Sequence, residues 1–324
     1  MSTDSLSTVS FLLLLSQFQG DQVDKFCQKH NLQHLKYSIP VPHTSGTNPY
    51  AFKRHVLLDD ENKVLFCFVP KVGCTNLKLL FFVTQGAIPR SELSKPRDRV
   101  DQLALDRAVQ KQSFQSRDED TKVSVLKSYF KFAMFRNPLE RLASGYRSKV
   151  ERFDLFGMKD NIPPYNWLRK AIYSHTHPQL YSTWTQNRGN IPVSIAFSDF
   201  IDYWLVSQDP QLKFDEHFLP ITRVCQPCRI HFDFYGNFHH FERDAQVLIS
   251  KIGASSADLR SSYYSEDTST EARVQQYYST LNEDQKRLVL KKMALELEFH
   301  YAIFPEERDS HKTILGIPDD LPQV

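Results

Sequence analysis

The stretch VLFCFVPKVGCTNLKLLFF, from Val64 to Phe82, decides the fold class of this chain. Its first part, Val64 to Val69, is a continuous apolar run that predicts a buried strand. A proline and a lysine end the run, and the period of the apolar residues then changes to that of a helix beginning near Thr75. The residues from Pro70 to Asn76 therefore form a turn between a strand and a helix.

The same arrangement returns further along the chain. YFKFAMF, Tyr129 to Phe135, predicts a second strand, and FRNPLERLASGYRSK follows it at once. In that segment Asn137 suits a helix N-cap and Pro138 suits the first helical position. A charged segment between the two strands can serve as a crossover, and a helix is predicted over Asp101 to Gln112 with Leu103, Leu105 and Val109 facing inward. The pattern predicts an α/β fold with a central, mostly parallel sheet flanked by helices.

The composition narrows the class of protein. The 324 residues allow one large domain or two small ones, and 41% are hydrophobic, enough for a sizeable core. Forty Lys and Arg residues against 38 Asp and Glu residues give a net charge of +2. A general nucleic-acid-binding protein would be much more basic, so this class is excluded. We predict an N-terminal segment at 1–50, a main domain at 51–305 and a polar C-terminal tail at 306–324.

The N-terminal segment contains LSTVSFLLLLSQF, Leu6 to Phe18. Its strictly apolar core, Phe11 to Leu15, is too short to span a bilayer. No Lys or Arg precedes that core, which differs from an ordinary signal peptide. A buried or amphipathic segment, a secretory signal and a truncated membrane anchor all stay open, and the last would associate the protein with a membrane.

The first turn carries the groups that bind phosphate or sulfate. Backbone N–H groups at a helix N-terminus lack intrahelical partners, and the helix dipole attracts anions there. Lys71 adds a full charge, Gly73 lets the backbone come close, and Thr75 and Asn76 add side-chain donors. The Gly-x4-Gly-Lys-Ser/Thr pattern is absent, because the lysine precedes the only glycine of this stretch, and this disfavours an ordinary nucleotide triphosphatase.

The turn after the second strand is a second candidate anion site, and it strengthens the interpretation of the first. Arg136 follows a continuous apolar strand, and Ser144 lies further along the helix. An arginine at a strand end, a hydroxyl and a helix N-terminus suit a phosphate monoester. Two such turns at neighbouring strand ends predict one nucleotide phosphorylated at both its 5′ and 3′ positions. The alternative is a solvated helix face on which Arg141 and Arg147 pair with Glu140 and Glu151.

Three segments resemble a known family. PKVGCTNLK resembles the 5′-phosphosulfate-binding loop of the Golgi carbohydrate sulfotransferases, and FRNPLERLASGYRSK resembles their 3′-phosphate-binding segment. EHFLPITRVCQPCRIHFDFYGNFHHFERDA resembles a later block of the same family. The similar group contains the chondroitin, dermatan and N-acetylgalactosamine 4-O-sulfotransferases, and the resemblance runs from about Phe52 to Tyr301. It implies a P-loop-like sulfotransferase fold and a location in the Golgi lumen or membrane.

The resemblance also implies the reactants. The co-substrate would be 3′-phosphoadenosine 5′-phosphosulfate (PAPS), and the acceptor would be a sugar hydroxyl on a chondroitin-like, dermatan-like or N-acetylgalactosamine-containing glycan, with no metal and no nucleic acid. Carried over by position, the residues that would hold the 5′ phosphosulfate are Lys71, Thr75 and Asn76. They lie in a loop that also includes Val72, Gly73 and Cys74. The residues that would hold the 3′ phosphate are Arg136 and Ser144.

Some positions depart from the family pattern. Leu77 stands where the family usually has a large residue such as Trp. Phe238 and His239 stand in place of an aromatic-Glu pair, and His217-Phe218 stands in place of His-Trp. We expect these departures to affect the choice of acceptor more than the binding of the donor.

The chemistry is inferred by analogy with in-line phosphoryl transfer. Lys71 and the loop N–H groups would stabilise the charge that builds on the leaving oxygen. His217 is the first candidate for the general base, because imidazole suits that role near neutral pH. The alternative is a histidine that simply packs beside Phe218. Other candidates for the base are His175, His177 and Glu216.

The five cysteines allow more than one interpretation. Cys225 and Cys228 form a Cys-x-x-Cys pair, which by itself is weak support for zinc. A disulfide within the pair, or to Cys74 or Cys27, is favoured if the protein is lumenal. Cys67 lies inside an apolar strand and is expected in the core.

Basic and aromatic side chains between the second strand and residue 190 could bind the acceptor. The competing functions are a kinase-like phosphotransferase, which would need Mg²⁺ and an acidic ligand near the first turn, and a catalytically degenerate glycan-binding protein of the same fold. The basic candidates are Arg147, Lys149, Arg152, Arg169 and Lys170, and the aromatic candidates are Tyr165, Trp167 and Trp184.

Overall fold

The computed structural model describes residues 3–36, 55–95, 100–111, 114, 117–151, 166–186, 195–209, 212, 215–259 and 270–317. The chain divides into two compact units, which are treated separately below. Unit 1 comprises Met1–Asn137, Pro220–Ser265 and Glu298–Glu307, and unit 2 comprises Pro138–Leu219, Glu266–Leu297 and Arg308–Val324. The domain limits at 51 and 305 stay a prediction.

The secondary structure alternates between strands and helices in the first half of the chain. The strands are β1 (Val56–Asp59), β2 (Val64–Cys67), β3 (Phe130–Phe135) and β4 (Phe234–Asn237). The helices are α1 (Thr3–Lys29), α2 (Cys74–Thr84), α3 (Gln102–Lys111), α4 (Glu119–Ser128), α5 (Pro138–Tyr146), α6 (Asn166–Thr176), α7 (Pro178–Gln186), α8 (Phe197–Val206), α9 (Ile221–Val224), α10 (Pro227–Ile230), α11 (Phe241–Lys251), α12 (Thr270–Ser279), α13 (Glu283–Ile303) and α14 (Ser310–Leu315). Short 3₁₀ helices span Gln33–Leu35, Arg90–Ser94, Phe238–His240, Ser256–Asp258 and Pro305–Glu307, and a π-helical turn spans Arg147–Glu151.

Unit 1 contains the sheet. Within the described part of the chain it has four strands in the order β1-β2-β3-β4, of which β1 is antiparallel and the other neighbours are parallel. The apolar runs of β2 and β3 are buried, as is typical of parallel strands covered on both faces. The predicted α/β fold with a mostly parallel sheet is therefore confirmed, and the antiparallel edge strand β1 is an addition.

Helix α1 covers the other edge of this sheet. The side chain of Gln19 pairs with the backbone of β4: its Nε2 donates to the Tyr235 carbonyl at 2.8 Å, and the Tyr235 N–H donates to its Oε1 at 3.3 Å. An edge strand presents unpaired backbone groups, and this glutamine satisfies two of them. Part of the N-terminal segment thus belongs to unit 1. Among the residues with assigned structure, no helix is long and apolar enough to cross a membrane.

Two disulfides lie in unit 1. They join Cys27 to Cys228 and Cys67 to Cys225, and Cys74 is a free thiol. The first pairing is one of the alternatives that the sequence left open. The expected core position of Cys67 is confirmed, because its side chain is fully buried, and its bond to Cys225 is an addition. Over the ranges given above, no group of three His, Cys, Asp or Glu side chains is arranged to hold a metal ion.

Helix α3 confirms the helix predicted in the crossover, but one of the residues predicted to face inward is exposed. Leu105 is fully buried, but Leu103 is 67% exposed. The buried face of the helix runs through Leu105 and Ala108 instead. Leu103 projects about 200° around the helix from Leu105, so the two cannot share one face.

Unit 2 is helical in its described parts. Leu139, Leu142 and Tyr146 of α5 are buried. Helix α8 begins at Phe197 with Ala196 at its N-cap. The tail predicted from 306 contains α14, whose Ile314 and Leu315 side chains are buried.

The carboxyl end of β4 is held by a buried carboxylate. The Asn237 Nδ2 donates to Glu307 Oε1 at 2.7 Å, and Glu307 Oε2 lies 2.9 Å from His300 Nε2. Burial by itself would raise the pKa of Glu307. The hydrogen bond and charge of His300 outweigh that effect and lower the pKa from 4.5 to about 2.

This carboxylate predicts an acid-sensitive contribution to stability. A folded pKa below the unfolded value stabilises the protein above pH 4.5, and the stabilisation is lost as the pH falls from 4.5 towards 2. We expect Glu307→Gln to lower the free energy of unfolding at pH 7 by about 3 kcal/mol or less, and to flatten its decline in that acid range. The control is Glu306→Gln, since the exposed Glu306 accepts from the same amide at 3.3 Å. Denaturant unfolding with equal losses for the two variants would contradict the assignment.

Candidate functional site

The carboxyl ends of three parallel strands meet at one edge of the sheet in unit 1. The turn at 70–76 follows β2, Arg136 follows β3 directly, and Phe238 follows β4 directly. In open α/β sheets, ligands bind in the crevice outside the carboxyl ends of the strands. The sheet therefore brings the two predicted anion turns to the edge where such a ligand is expected.

The backbone of the first turn has an unusual conformation. Lys71 and Gly73 both have a φ of 73°, and Val72 between them is not in the positive-φ region. Alternation of this kind is typical of anion-binding nests, in which successive N–H groups point to one side. Helix α2 starts at Cys74, immediately after Gly73, so its N-terminal N–H groups continue the turn.

The packing around this turn leaves little freedom. A Cβ atom on Gly73 would lie 2.7 Å from Cε2 of Phe241, so a side chain cannot fit there. Asn76 is 5% exposed, and its Nδ2 has no hydrogen-bond acceptor among the described residues. Because buried polar groups are nearly always hydrogen-bonded, this amide points to an acceptor on a ligand.

The second turn contacts the first. Arg136 is 4% exposed, and its Nη1 donates to the carbonyl oxygen of Lys71 at 3.3 Å. Its guanidinium also lies over the ring of Phe238, 4.6 Å from the centroid, which is cation–π geometry. The expectation that the two turns are neighbours is met, since Lys71 and Arg136 are in direct contact.

Ser144 is half-buried on α5, which belongs to unit 2. Arg136 belongs to unit 1. The joint role of these two residues at a 3′ phosphate therefore stays a prediction. The same holds for the individual roles of Val72, which is buried, and of Cys74 and Thr75, which are half-buried.

His217 in unit 2 forms a pair with an acid. Its Nδ1 lies 3.0 Å from Asp215 Oδ1, and its backbone N–H donates to the same oxygen at 2.8 Å. A proton on Nδ1 leaves the lone pair on Nε2. Burial lowers the pKa of His217, and the hydrogen bond to Asp215 opposes this only in part. A neutral, oriented imidazole of this kind suits a general base.

Helix α5 holds the backbone on either side of this pair. Arg141 is buried, and its Nη1 and Nη2 donate to the carbonyl oxygens of His217 and Leu219. At Gly145 an added Cβ would lie 2.8 Å from Cε1 of Phe218. Arg141 is thus not on a solvated face, the alternative that the sequence allowed, and its guanidinium positions the turn that carries His217.

The amino-acid sequence is similar to proteins of a known family. The pattern of the Sulfotransferase family matches residues 54–302. The chain belongs to the sulfotransferase family. It is 28% identical over 241 residues to carbohydrate sulfotransferase 14 of Danio rerio, which covers 74% of this chain and 58% of that protein. It is 30% identical over 203 residues to carbohydrate sulfotransferase 14 of Homo sapiens, with 62% and 47% covered.

A further relative covers more of both chains. Carbohydrate sulfotransferase 11 of Mus musculus is 24% identical over 298 residues, which is 90% of this chain and 77% of that protein. The chain spans about half of the length of the first two relatives, 58% and 47%. No solved structure is significantly similar to it. The predicted resemblance to carbohydrate sulfotransferases is confirmed.

The remaining candidate residues lie in different parts of the chain. Arg169 is wrong as an acceptor-steering residue, because it is 1% exposed and its Nη1 donates to the Val150 carbonyl. The Nε2 of His177 lies 3.9 Å from Asp199. His175 is exposed, and Glu216, Trp167, Arg147, Lys149 and Lys170 are half-buried. Arg152, Tyr165 and the side chain of Trp184 lie outside the described residues.

Two contacts, one in each unit, do not follow from the sequence analysis above. In unit 2, Asp215 pairs with His217, and an acid two residues before a candidate base is a local signal for an oriented imidazole. In unit 1, Phe238, which departs from the family pattern, supplies the ring beneath Arg136. Its position directly after β4 was the available signal, but β4 itself had to be placed beside β3 first.

Gly73 offers a test of ligand binding at the turn of residues 70–76. We expect Gly73→Ala to weaken binding of adenosine 3′,5′-bisphosphate by about tenfold or more, because the variant adds both backbone strain and a clash with Phe241. Gly86→Ala is the matched control, since Gly86 has a φ of 67° but nothing within 4 Å of an added Cβ. Calorimetric titration in which both variants lose the same affinity would count against a ligand at this loop.

Proposed function

We propose that this chain transfers a sulfuryl group from PAPS to a sugar hydroxyl on a chondroitin-like, dermatan-like or N-acetylgalactosamine-containing glycan. The observation that carries the proposal is the contact between Arg136 and Lys71, which joins two anion-binding turns at one sheet edge. A nucleotide with anionic groups at its 5′ and 3′ positions is the ligand that needs two such turns. The printed names of the relatives support a carbohydrate acceptor.

The residues of the sheet edge fit the donor. The Lys71 ammonium, the N–H groups of the turn and the buried Asn76 amide suit a phosphosulfate. The guanidinium of Arg136, held by Phe238 and by the Lys71 carbonyl, suits the 3′ phosphate. When bound, PAPS supplies the sulfuryl group and a bisphosphate leaving group.

The chain supplies charge stabilisation and a base. Lys71 and the neighbouring N–H groups stabilise the negative charge that develops on the bridging oxygen, and losing one such donor costs about 3 kcal/mol of barrier. His217 accepts the proton of the sugar hydroxyl on Nε2, while Asp215 holds the ring and stabilises the imidazolium. The scheme assigns no step to a metal.

We also propose a location in the Golgi lumen or at its membrane. The two disulfides in unit 1 support this location, because such bonds persist in oxidising compartments.

One assay tests the proposed function. The protein is incubated with radiolabelled PAPS and desulfated chondroitin, dermatan and other glycosaminoglycans, without added metal. Transfer of label to a glycan is the expected result. Transfer that requires ATP and Mg²⁺ would indicate a kinase-like enzyme, and glycan binding without transfer would indicate a degenerate member of the fold.

A further inference from the structure

One cysteine of this chain has no disulfide partner. The sequence contains five cysteines, and four of them form the two disulfides of unit 1. Cys74 is left as a half-buried free thiol. It is the first residue of α2 and follows Gly73 directly, so it lies in the turn at 70–76. An odd cysteine in a disulfide-bonded protein is either a reactive thiol or a link to another molecule.

A charged group lies one helical turn further along α2. Lys78 is four residues after Cys74, so the two side chains share a face of the helix, with Cβ atoms about 6 Å apart. Helical side chains lean towards the helix N-terminus, which directs Lys78 back over the turn that holds Cys74. The Lys78 ammonium follows this direction, since it lies 4.7 Å from the ring centroid of Phe68, just before the turn begins.

This ammonium lacks a counter-ion in the part of the chain that the structure describes. Lys78 is only 8% exposed, and among the described residues its Nζ meets the face of Phe68 but no carboxylate and no hydrogen-bond acceptor. A ring face attracts the charge but satisfies none of the three N–H donors. Because buried charges are nearly always paired, Lys78 indicates an anionic group that binds on the face of α2 that carries Cys74.

The ammonium lies on the side of the turn away from Arg136. In the sheet order β1-β2-β3, Arg136 follows β3 on one side of β2. The Phe68 ring beneath Lys78 packs instead on His55, the residue before β1, with ring centroids 4.8 Å apart. A nucleotide that joins the turn to Arg136 therefore extends away from Lys78, which is left for a different anion.

We propose that Cys74 is a modification site for a small carboxylate-bearing thiol such as glutathione, with a carboxylate of that molecule on the Lys78 ammonium. Such a thiol supplies both groups that the site requires, a sulfur for Cys74 and an anion for Lys78. A second copy of the chain is disfavoured, because two half-buried thiols would have to approach to about 2 Å to form a bond.

The reaction is a thiol–disulfide exchange with glutathione disulfide. The Cys74 thiol gives its proton to water, and the thiolate attacks one sulfur of the reagent. A bond forms between Cys74 and that sulfur, the S–S bond of the reagent breaks, and one glutathione thiolate leaves. Cys74 is oxidised and one glutathione is reduced, so the step balances, and reduced glutathione reverses it.

The modification closes the donor turn. A tripeptide on Cys74 occupies the N-terminus of α2, where the free N–H groups and Lys71 would face the phosphosulfate. Modification and donor binding therefore exclude each other, and only the reduced protein binds the donor. This consequence rests on the proposed function, whereas the modification of Cys74 does not.

The test measures by mass spectrometry the rate at which the full chain gains an adduct. It compares glutathione disulfide, which carries carboxylates, with the uncharged hydroxyethyl disulfide. We expect Lys78→Gln to slow the reaction with glutathione disulfide by about tenfold at low salt, through lost attraction, and the reaction with the uncharged reagent by less than about twofold. Lys251→Gln is the matched control and should change neither rate, because the exposed Lys251 also lies 4.7 Å from a ring centroid, that of Phe130.

Several outcomes would overturn the proposal. They are an adduct on Cys74→Ser, a covalent dimer in place of the adduct, and an equal effect of Lys78→Gln on both reagents. The melting temperature checks that each variant is folded. If Lys78→Gln is not folded, the salt dependence of the wild-type rates replaces it. Added salt should then slow only the reaction with glutathione disulfide, and equal responses of the two reagents would refute the assignment.

The nucleotide separates this proposal from the proposed function. Adenosine 3′,5′-bisphosphate at ten times its Kd should protect Cys74 by about tenfold, as expected for two ligands that exclude each other. An adduct that leaves the affinity for this nucleotide unchanged would overturn the closure of the turn. A wild-type protein that binds no nucleotide would refute the donor site, and the two adduct rates would still decide whether Cys74 and Lys78 form a modification site.

Discussion

Arg136→Ala is expected to weaken binding of adenosine 3′,5′-bisphosphate by about thirtyfold or more, which corresponds to about 2 kcal/mol. The guanidinium is buried, lies over Phe238 and donates to the Lys71 carbonyl, so its charge is held at the sheet edge. Lys149→Ala should cost about fivefold or less, because half-exposed charges contribute less than about 1 kcal/mol. Isothermal titration calorimetry measures both affinities.

Arg136→Lys serves as the matched variant. It keeps the positive charge but loses the planar fork and much of the stacking on Phe238, so we expect an intermediate affinity. Thermal unfolding separates a lost ligand contact from a lost fold. Equal affinity losses for Arg136→Ala and Lys149→Ala, in proteins of equal melting temperature, would refute the role given to Arg136.

His217→Gln should lower kcat by about a hundredfold or more, the usual contribution of a general base. The affinity for adenosine 3′,5′-bisphosphate should stay within about twofold, because no donor-binding role is assigned to this residue. Since burial lowers the pKa of His217, the acid limb of the kcat/KM profile should lie below pH 6.5, the unperturbed value. His175→Gln is the control, as His175 is an exposed histidine of the same unit. Comparable losses of kcat in the two variants would contradict the assignment.

Asp215→Asn separates orientation of the ring from its basicity. The hydrogen bond that Asp215 accepts from His217 Nδ1 raises the pKa of His217, so its removal should shift the acid limb to still lower pH. We expect a smaller loss of kcat than in His217→Gln, because the imidazole stays in place. An unchanged pH profile would show that Asp215 does not tune this histidine.

The local sequence pattern was sufficient to predict the strands and helices that flank the two candidate anion-binding turns. Continuous apolar runs predicted β2 and β3, and both are buried strands. The change of period after Gly73 and the Asn137-Pro138 pair placed the starts of α2 and α5 within a residue of those observed. These features depend on neighbours in sequence, since strand burial, helix starts and turns are set by short-range sterics and hydrogen bonding.

Contacts between distant segments could not be predicted in this way. Three such contacts join residues from different elements. They are the Cys67–Cys225 bond, the pairing of Gln19 with β4 and the hydrogen bond from the buried Arg169 to Val150. The orientation of helix α3 is a further example. Leu103 and Leu105 are both apolar, and only the elements packed against the helix decide that Leu105 faces the core. The sequence also allowed Arg141 to lie on a solvated helix face, but its guanidinium holds the turn that carries His217.

The amino-acid sequence by itself determined the order of strands and helices, the composition of the two turns and the family to which the chain belongs. The tertiary structure alone decided that Arg136 reaches the Lys71 carbonyl, and that Phe238 lies beneath its guanidinium. The physical reason is the sheet. Parallel pairing of β2, β3 and β4 brings three turns that are far apart in the chain to one edge, and only the register of the strands fixes which side chains meet there.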